Sequence, residues 1–349
     1  MALAYKINIV DDSHSHLSPT IFQNLSIQEV AIPEPGPGSV LVRIHAAALN
    51  FRDLLCVADS PLYPVRTVPG LVPCSDGAGE IVKAGSGSKW QDTVGDAVIV
   101  VPQGEWLNGD VGVLRIDKVL GAGDNNGTLS QYMVVPDACI VPAPRNLSME
   151  EAAALVSTAG TAINVLESIP IRKNTTVVTQ GTGGVSCAVI QYASALGARV
   201  IATSSTDEKL QIAKALGASE LINYRTTPDW AHEVVRLTDG TGADLVCDVA
   251  GWGTLEASVK ALKQGGTACV VGMLTPPQPV ELLMPLILGA KTLRGILVFS
   301  KSMLAKAVRL AEEHDLHPHI EEVFAWEDAP KAFEQLRKQG SVGKVVVRV

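Results

Sequence analysis

The sequence has no excess of positive charge. Its 349 residues hold 28 Lys and Arg against 36 Asp and Glu, a formal net charge of −8. Surfaces that bind nucleic acid need clustered Lys and Arg to meet phosphates, so nucleic acid is not an expected partner. There is also no uninterrupted apolar run of roughly 18 residues, the length that spans a bilayer, so no membrane span is expected. The opening stretch MALAYKINIVDDSHSH lacks the cationic-then-apolar order of a signal peptide. The six cysteines, Cys56, Cys74, Cys139, Cys187, Cys247 and Cys269, form no Cys-x-x-Cys pair. Most of them lie in apolar runs, which predicts buried thiols without disulfides in a cytoplasmic protein. No internal repeat and no low-complexity tail is present.

What is there is globular. Hydrophobic residues make up 47% and charged residues 18%, outside the range of disordered chains. The length exceeds one ordinary core and predicts two domains. The first part reads as short strands and turns: SVLVRIHAAALN after the turn PEPGPG, then AGEIVKAGSG, VGDAVIVVP and GTLSQYMVVPDACIVPAP. Residues 102–128, rich in Gly, Asn and Asp, read as a lobe or long loop. Near residue 145 the pattern changes. Ser148 followed by Glu151 is a capping-box sequence that opens a helix over LSMEEAAALVSTAGTAINVLES. From Thr175 strands and helices alternate, with a helix expected over GTLEASVKALKQGG. This rhythm demands a parallel sheet covered on both faces. The fold class is therefore α/β, a β-rich first part followed by a doubly wound parallel sheet.

The stretch VVTQGTGGVSCAV places Gly181, Thr182, Gly183, Gly184 and Val185 between a buried strand and a helix. Gly181 permits the tight turn and Gly183 allows backbone to approach a pyrophosphate. The amides around Gly184, Val185 and Ser186 then point at the anion. A glycine motif in that context predicts dinucleotide binding. The next strand, ARVIATSS, ends in Ser204 and Ser205 rather than the Asp or Glu that holds the ribose of NAD. Lys209 follows, and Tyr224 and Arg225 end the strand after that. Hydroxyls and an ammonium suit a 2′-phosphate, so NADPH is the expected cofactor.

Taken together, ALNFRDLL, VPGLVPCSDGAGEIVKAG, VGDAVIV, GTLSQYMVVP, EEAAALVSTAGTAINVL, the glycine loop with its following strand, and GKVVVRV resemble the medium-chain dehydrogenase/reductase superfamily. The resemblance is to its zinc-independent, quinone-oxidoreductase-like branch and covers nearly the whole chain. It implies a GroES-like catalytic domain over residues 1–146, completed by 290–349, and a Rossmann NADP-binding domain over 147–289. It also implies a cofactor in the cleft between them and a homodimer. On the same basis Gly272, Met273 and Val298 should lie along the nicotinamide and Thr161 should face the cofactor. Lys209 and Tyr224 match positions that contact the 2′-phosphate.

The zinc-dependent relatives place a Cys where this chain has Asn50 and a His where it has Leu71. A catalytic zinc needs about three ligands from Cys, His and carboxylates, and a structural zinc needs a cysteine quartet, which residues 102–128 lack entirely. No metal is expected. Cys74-Ser75-Asp76, His45 and the group His314, His317 and His319 read as structural or solvated residues.

Without a Lewis acid, a developing oxyanion must rely on hydrogen bonds or a proton donor. Conjugated carbonyls and quinones suit such a pocket, because an enolate spreads its own charge. The reading is an NADPH-dependent reductase of an activated C=C bond or a quinone. Asn50 is the expected polarising amide and Tyr63 the expected proton donor. Arg52 and Asp53 read as a structural pair, and Trp106 as a wall of the pocket or the core of the lobe. A metal-free alcohol/ketone oxidoreductase and a non-catalytic NADPH-binding protein are the alternatives.

Overall fold

The computed structural model describes residues 1–349, the side chain of Val113 excepted. The chain divides into two compact units: Met1–Ser157 with Ser300–Val349, and Thr158–Phe299. Both divisions fall later than the boundaries at 146 and 290 implied by the resemblance.

The first unit opens with β1 (Ala2–Ile7), paired antiparallel with β2 (Leu25–Val30). Next comes β3 (Ser39–Ala48), then a helix absent from the sequence reading, α1 (Phe51–Val57). Its start is fixed by the carboxylate of Asp53, whose Oδ2 accepts from the backbone N–H of Asn50 at 2.7 Å. The chain continues through β4 (Asp76–Ala84), β5 (Ala97–Val100), β6 (Tyr132–Pro136) and β7 (Ile140–Pro142). It then enters α2 (Met149–Leu166). The expected capping box is formed, with Ser148 N donating to Glu151 Oε2 at 2.9 Å and Glu151 N donating to Ser148 Oγ at 3.2 Å.

In the second unit β8 (Thr176–Gln180) leads into α3 (Gly184–Ala195), β9 (Arg199–Ser204), α4 (Asp207–Ala215) and β10 (Glu220–Asn223). There follow α5 (Trp230–Leu237), β11 (Ala243–Asp248), α6 (Leu255–Ala261), β12 (Leu262–Val270), α7 (Leu283–Gly289) and β13 (Thr292–Gly295). The sheet order is β10-β9-β8-β11-β12-β13, every pairing parallel. This is the doubly wound order 3-2-1-4-5-6, with the switch beside β8. Two expectations are corrected. The helix read over GTLEASVKALKQGG ends at Ala261, because from Leu262 the chain is extended and pairs with β11. Residues 292–295 belong to this unit, since β13 bonds to β12.

The chain then returns to the first unit through α8 (Lys301–His314), β14 (Ile320–Phe324), α9 (Ala329–Arg337) and β15 (Lys344–Arg348). The main sheet there runs β14-β15-β3-β4-β5-β7, with β6 on β3. Alternate residues of its strands, Val40, Val42 and Ile44 with Ile81, Val98, Val100 and Val135, fill one core. Leu49, Leu54, Leu71 and Val72 join Tyr5, Trp326 and Phe333 in another. The C-terminal strand β15 thus lies against β3, and its first residue reaches the end of that strand.

Candidate functional site: a glycine loop and a buried charge cluster

In the second unit the glycine loop joins β8 to α3. Gly181 has φ +66°, and a Cβ added there or at Gly183 would meet no atom within 4 Å. Both glycines therefore border open space, as a phosphate cradle requires. The first amides of α3 have no acceptor within the helix and carry its positive dipole end. The loop is held from behind: Ser186 Oγ donates to Gln180 O at 2.7 Å, and Cys187 Sγ to Thr182 O at 3.3 Å. Thr182 Oγ1 and Ser204 Oγ lie 3.2 Å apart, and Tyr224 N donates to Ser204 O at 3.1 Å.

The loop, Ser204, Ser205, Lys209 and Tyr224 are thus gathered at the carboxyl ends of β8, β9 and β10, where ligands of such sheets bind. Thr206 caps α4 by accepting from Lys209 N. The ammonium of Lys209 makes no ion pair with any described residue, and Asp207 accepts from Asn223 Nδ2 at 2.8 Å. Tyr224 is exposed.

The remaining expected cofactor residues lie elsewhere in the unit. Gly272 follows β12, and a Cβ there would come within 2.2 Å of Val249 O, so only glycine fits. Met273 is exposed beside it, while Thr161 is buried in α2. Val298 has φ +42°, an outlier for a β-branched residue. Its carbonyl is held by Asn164 Nδ2 at 2.8 Å, and Arg294 Nη2 in turn donates to Asn164 Oδ1 at 3.2 Å. Backbone strain of this kind is typical of ligand-contacting segments.

In the first unit Asn50 belongs to a polar cluster that the sequence reading only partly found. Lys344, at 4% exposure, sends its ammonium to Leu49 O at 2.6 Å, Asn50 Oδ1 at 2.7 Å and Asp76 Oδ2 at 3.3 Å. Asp76, fully buried, also accepts from Ser157 Oγ at 2.6 Å, Ser157 N at 3.2 Å and Ser75 Oγ at 3.1 Å. The turn that delivers Asp76 contains Cys74 at φ +71°. Gly127 and Gly121 pack so closely on Cys74 that any side chain on them would strike its backbone.

Arg52 and Asp53 diverge rather than pair. Asp53 caps α1, whereas Arg52 Nη1 donates to Leu120 O at 2.9 Å and its guanidinium lies 5.4 Å from the ring centre of Tyr63. The expected donor Tyr63 is therefore placed on a cation, two residues along the chain from Asn50. Burial pushes the Asp53 carboxyl up to about 6, against the pull of Arg52 and the Asn50 N–H. Burial also raises the Tyr63 phenol, and Arg52 offsets part of that rise. For Arg52 burial works against the charge, yet Cys56, Asp53 and Tyr63 hold its pKa above the ordinary value.

Trp106 does not join this cluster; it is buried in the lobe, its indole donating to Gly109 O at 2.8 Å. His317 pairs with Glu151 at 2.8 Å, and His45 faces Glu80 at 3.4 Å. The roles of Asp76, Ser157 and Lys344 were missed, although a lysine heading the apolar run VVV in GKVVVRV signals a buried cation that needs partners.

Comparison with known proteins gives a consistent picture. Residues 36–145 match the family described as the alcohol dehydrogenase GroES-like domain, and residues 184–313 match zinc-binding dehydrogenase. The chain is 36% identical to a zinc-type alcohol dehydrogenase-like protein of Schizosaccharomyces pombe, over all of both chains. It is 31% identical to the 2-methylene-furan-3-one reductase of Solanum lycopersicum, over 91% of this chain and 74% of that one. A solved structure of an NAD-dependent alcohol dehydrogenase superposes with a TM-score of 0.86 at 34% identity, covering all of both chains.

At the positions where the resemblance puts ligands of the zinc-dependent relatives, these side chains are poorly suited to a metal. Leu71 and Val72 are buried apolar side chains, and Asn50 Oδ1 faces an ammonium. Among the described residues no three His, Cys, Asp or Glu side chains are grouped to hold a metal ion. No helix among the described residues is long and apolar enough to cross a membrane.

Proposed function

The chain belongs to the medium-chain dehydrogenase/reductase superfamily, and we propose that it is an NADPH-dependent, metal-independent reductase of an activated C=C bond, in an enone or enal, or of a quinone. The observation that carries this reading is the Lys344 ammonium on Asn50 Oδ1, 2.7 Å away. A divalent metal there would meet a fixed positive charge, and an oxyanion would meet an amide donor. The Solanum lycopersicum relative is named as a reductase of 2-methylene-furan-3-one, an α-methylene ketone whose C=C bond is of the activated kind proposed here.

NADPH, when bound, supplies the hydride. The glycine loop would hold its pyrophosphate through Gly183, Gly184 and Val185, with Thr182 and Gly181 shaping the turn. Ser204, Ser205, Lys209 and Tyr224 would hold the 2′-phosphate, and Thr161, Gly272, Met273 and Val298 would flank the nicotinamide. Asn50 would donate to the substrate oxygen as charge develops, and Tyr63 would return a proton to the enolate carbon. Neither residue needs to change its charge for the first step.

Leu283, Met284, Ile287 and Leu288 are exposed on α7, which directly precedes the open edge strand β13 in the chain. An apolar face beside unpaired backbone supports a homodimer. All six cysteines are unpaired, which suits a cytoplasmic setting. A second reading, oxidation of alcohols or reduction of ketones, is favoured by the description of the NAD-dependent structural neighbour. The test is NADPH and NADH consumption against enones, enals, quinones, ketones and alcohols, with metal content measured on the same preparation. The proposal expects NADPH-dependent loss of enone or quinone with far less than one zinc per chain. Alcohol oxidation tied to stoichiometric zinc would overturn it.

A further inference from the structure

The cluster around Lys344 carries an inference about how Asn50 is oriented. An ammonium has three donors and no acceptor. All three donors of Lys344 are used, on Leu49 O, Asn50 Oδ1 and Asp76 Oδ2. An amide oxygen facing this cation cannot exchange places with its nitrogen without setting an NH2 group against an ammonium. The Asn50 amide therefore has one orientation, oxygen inward. Its nitrogen is only loosely engaged: Nδ2 donates to Ser75 Oγ at 3.4 Å, and no other described residue accepts from it. Asn50 is itself half-buried. One amide proton is left over at the position where, by the resemblance, the zinc-dependent relatives carry a Cys.

We propose that Lys344 is a positioning residue that locks the Asn50 amide with its NH2 group presented to the substrate oxygen. Asp76 completes the device. It balances the buried ammonium, and it is held in place by Ser75 and Ser157. Ser157 lies near the middle of α2, so three separate stretches of chain converge to fix one amide. The positive charge behind Asn50 also polarises its carbonyl and makes the NH2 protons better donors. The inference rests on the reading of Asn50 as an oxyanion partner.

The experiment uses Asn50→Ala, Lys344→Met with Asp76→Asn, and the triple combination. The paired change removes cation and carboxylate together, so no uncompensated buried charge remains to prevent folding. With NADPH and 2-cyclohexenone or 1,4-benzoquinone as probes, Asn50→Ala should lower kcat about tenfold or more. The paired variant should lower kcat to a similar degree while its NADPH affinity, read by fluorescence, stays within about twofold. Adding Asn50→Ala to the paired variant should cost less than about threefold further, because a free amide contributes little.

Full additivity, or wild-type kcat in the paired variant when Asn50→Ala is impaired, overturns the role of Lys344 and leaves that of Asn50 standing. Wild-type kcat in Asn50→Ala removes the reading on which the inference rests. A second readout needs no turnover. With 15N-labelled asparagine, the Asn50 side-chain resonance, identified by its loss in Asn50→Ala, should shift in the paired variant. An unmoved resonance contradicts the lock.

Discussion

Asp76 and Lys344 form a buried ion pair, Oδ2 to Nζ at 3.3 Å, in which the carboxylate is fully buried and the lysine side chain is 5% exposed. Such a pair adds little net stability but is costly to break from one side. Asp76→Ala strands the ammonium and should destabilise the protein by about 3–5 kcal/mol. Asp76→Asn keeps an acceptor for Lys344 and for Ser157 and should cost less. Denaturant unfolding of both variants measures the difference. Equal small losses would mean that solvent reaches the pair.

A second prediction concerns pH. Burial raises the Asp53 carboxyl from 3.8 to about 6, so between those values the folded state binds a proton that the unfolded state has lost. Stability from this group is therefore fully present below about pH 4 and falls away as pH rises to about 6, a loss on the order of 3 kcal/mol. Asp53→Asn does not titrate. Relative to it, the wild type should lose stability between pH 4 and 7, which unfolding at several pH values would show. A constant difference between the two proteins would contradict a raised Asp53.

Lys209 should read the 2′-phosphate. Losing one charge-assisted contact costs about 1.5–3 kcal/mol, roughly ten- to a hundredfold in affinity. Lys209→Ala should weaken NADPH by that order and leave NADH nearly unchanged, as equilibrium titration would record. Equal weakening of both cofactors would remove Lys209 from the phosphate site.

Tyr63→Phe keeps the ring that packs on Arg52, 5.4 Å away, and removes only the hydroxyl. General-acid help is worth roughly 10²–10⁴-fold, so kcat for enones should fall toward that range with KM little changed. Quinones, which need less acid help, should suffer less. Wild-type rates on every substrate would exclude the hydroxyl from the chemistry.

The second unit was the more legible from sequence. Its helices and buried strands carry strong local signals, and the loop from Gly181 to Val185 together with Ser204 and Lys209 follows directly from strand-turn-helix order. The misreading near Leu262 arose because LKQGG continues a helical pattern, while pairing with β11 decides the outcome. The cluster in the first unit was harder to see. Asn50, Asp76, Ser157 and Lys344 lie up to 294 residues apart in the chain, and no local pattern links them. α1 was missed although Asn50 and Asp53 have the spacing of a helix cap, because the short apolar stretch NFRDLLCV shows no helical period.

The most direct test of the account follows the hydride. NADPH carrying deuterium at the transferred position is incubated with the protein and an enone, and the product is located by mass spectrometry and NMR. The account predicts a saturated ketone with one deuterium on the carbon β to the carbonyl. An allylic alcohol with deuterium on its carbinol carbon would show that the carbonyl is the acceptor, and would contradict it.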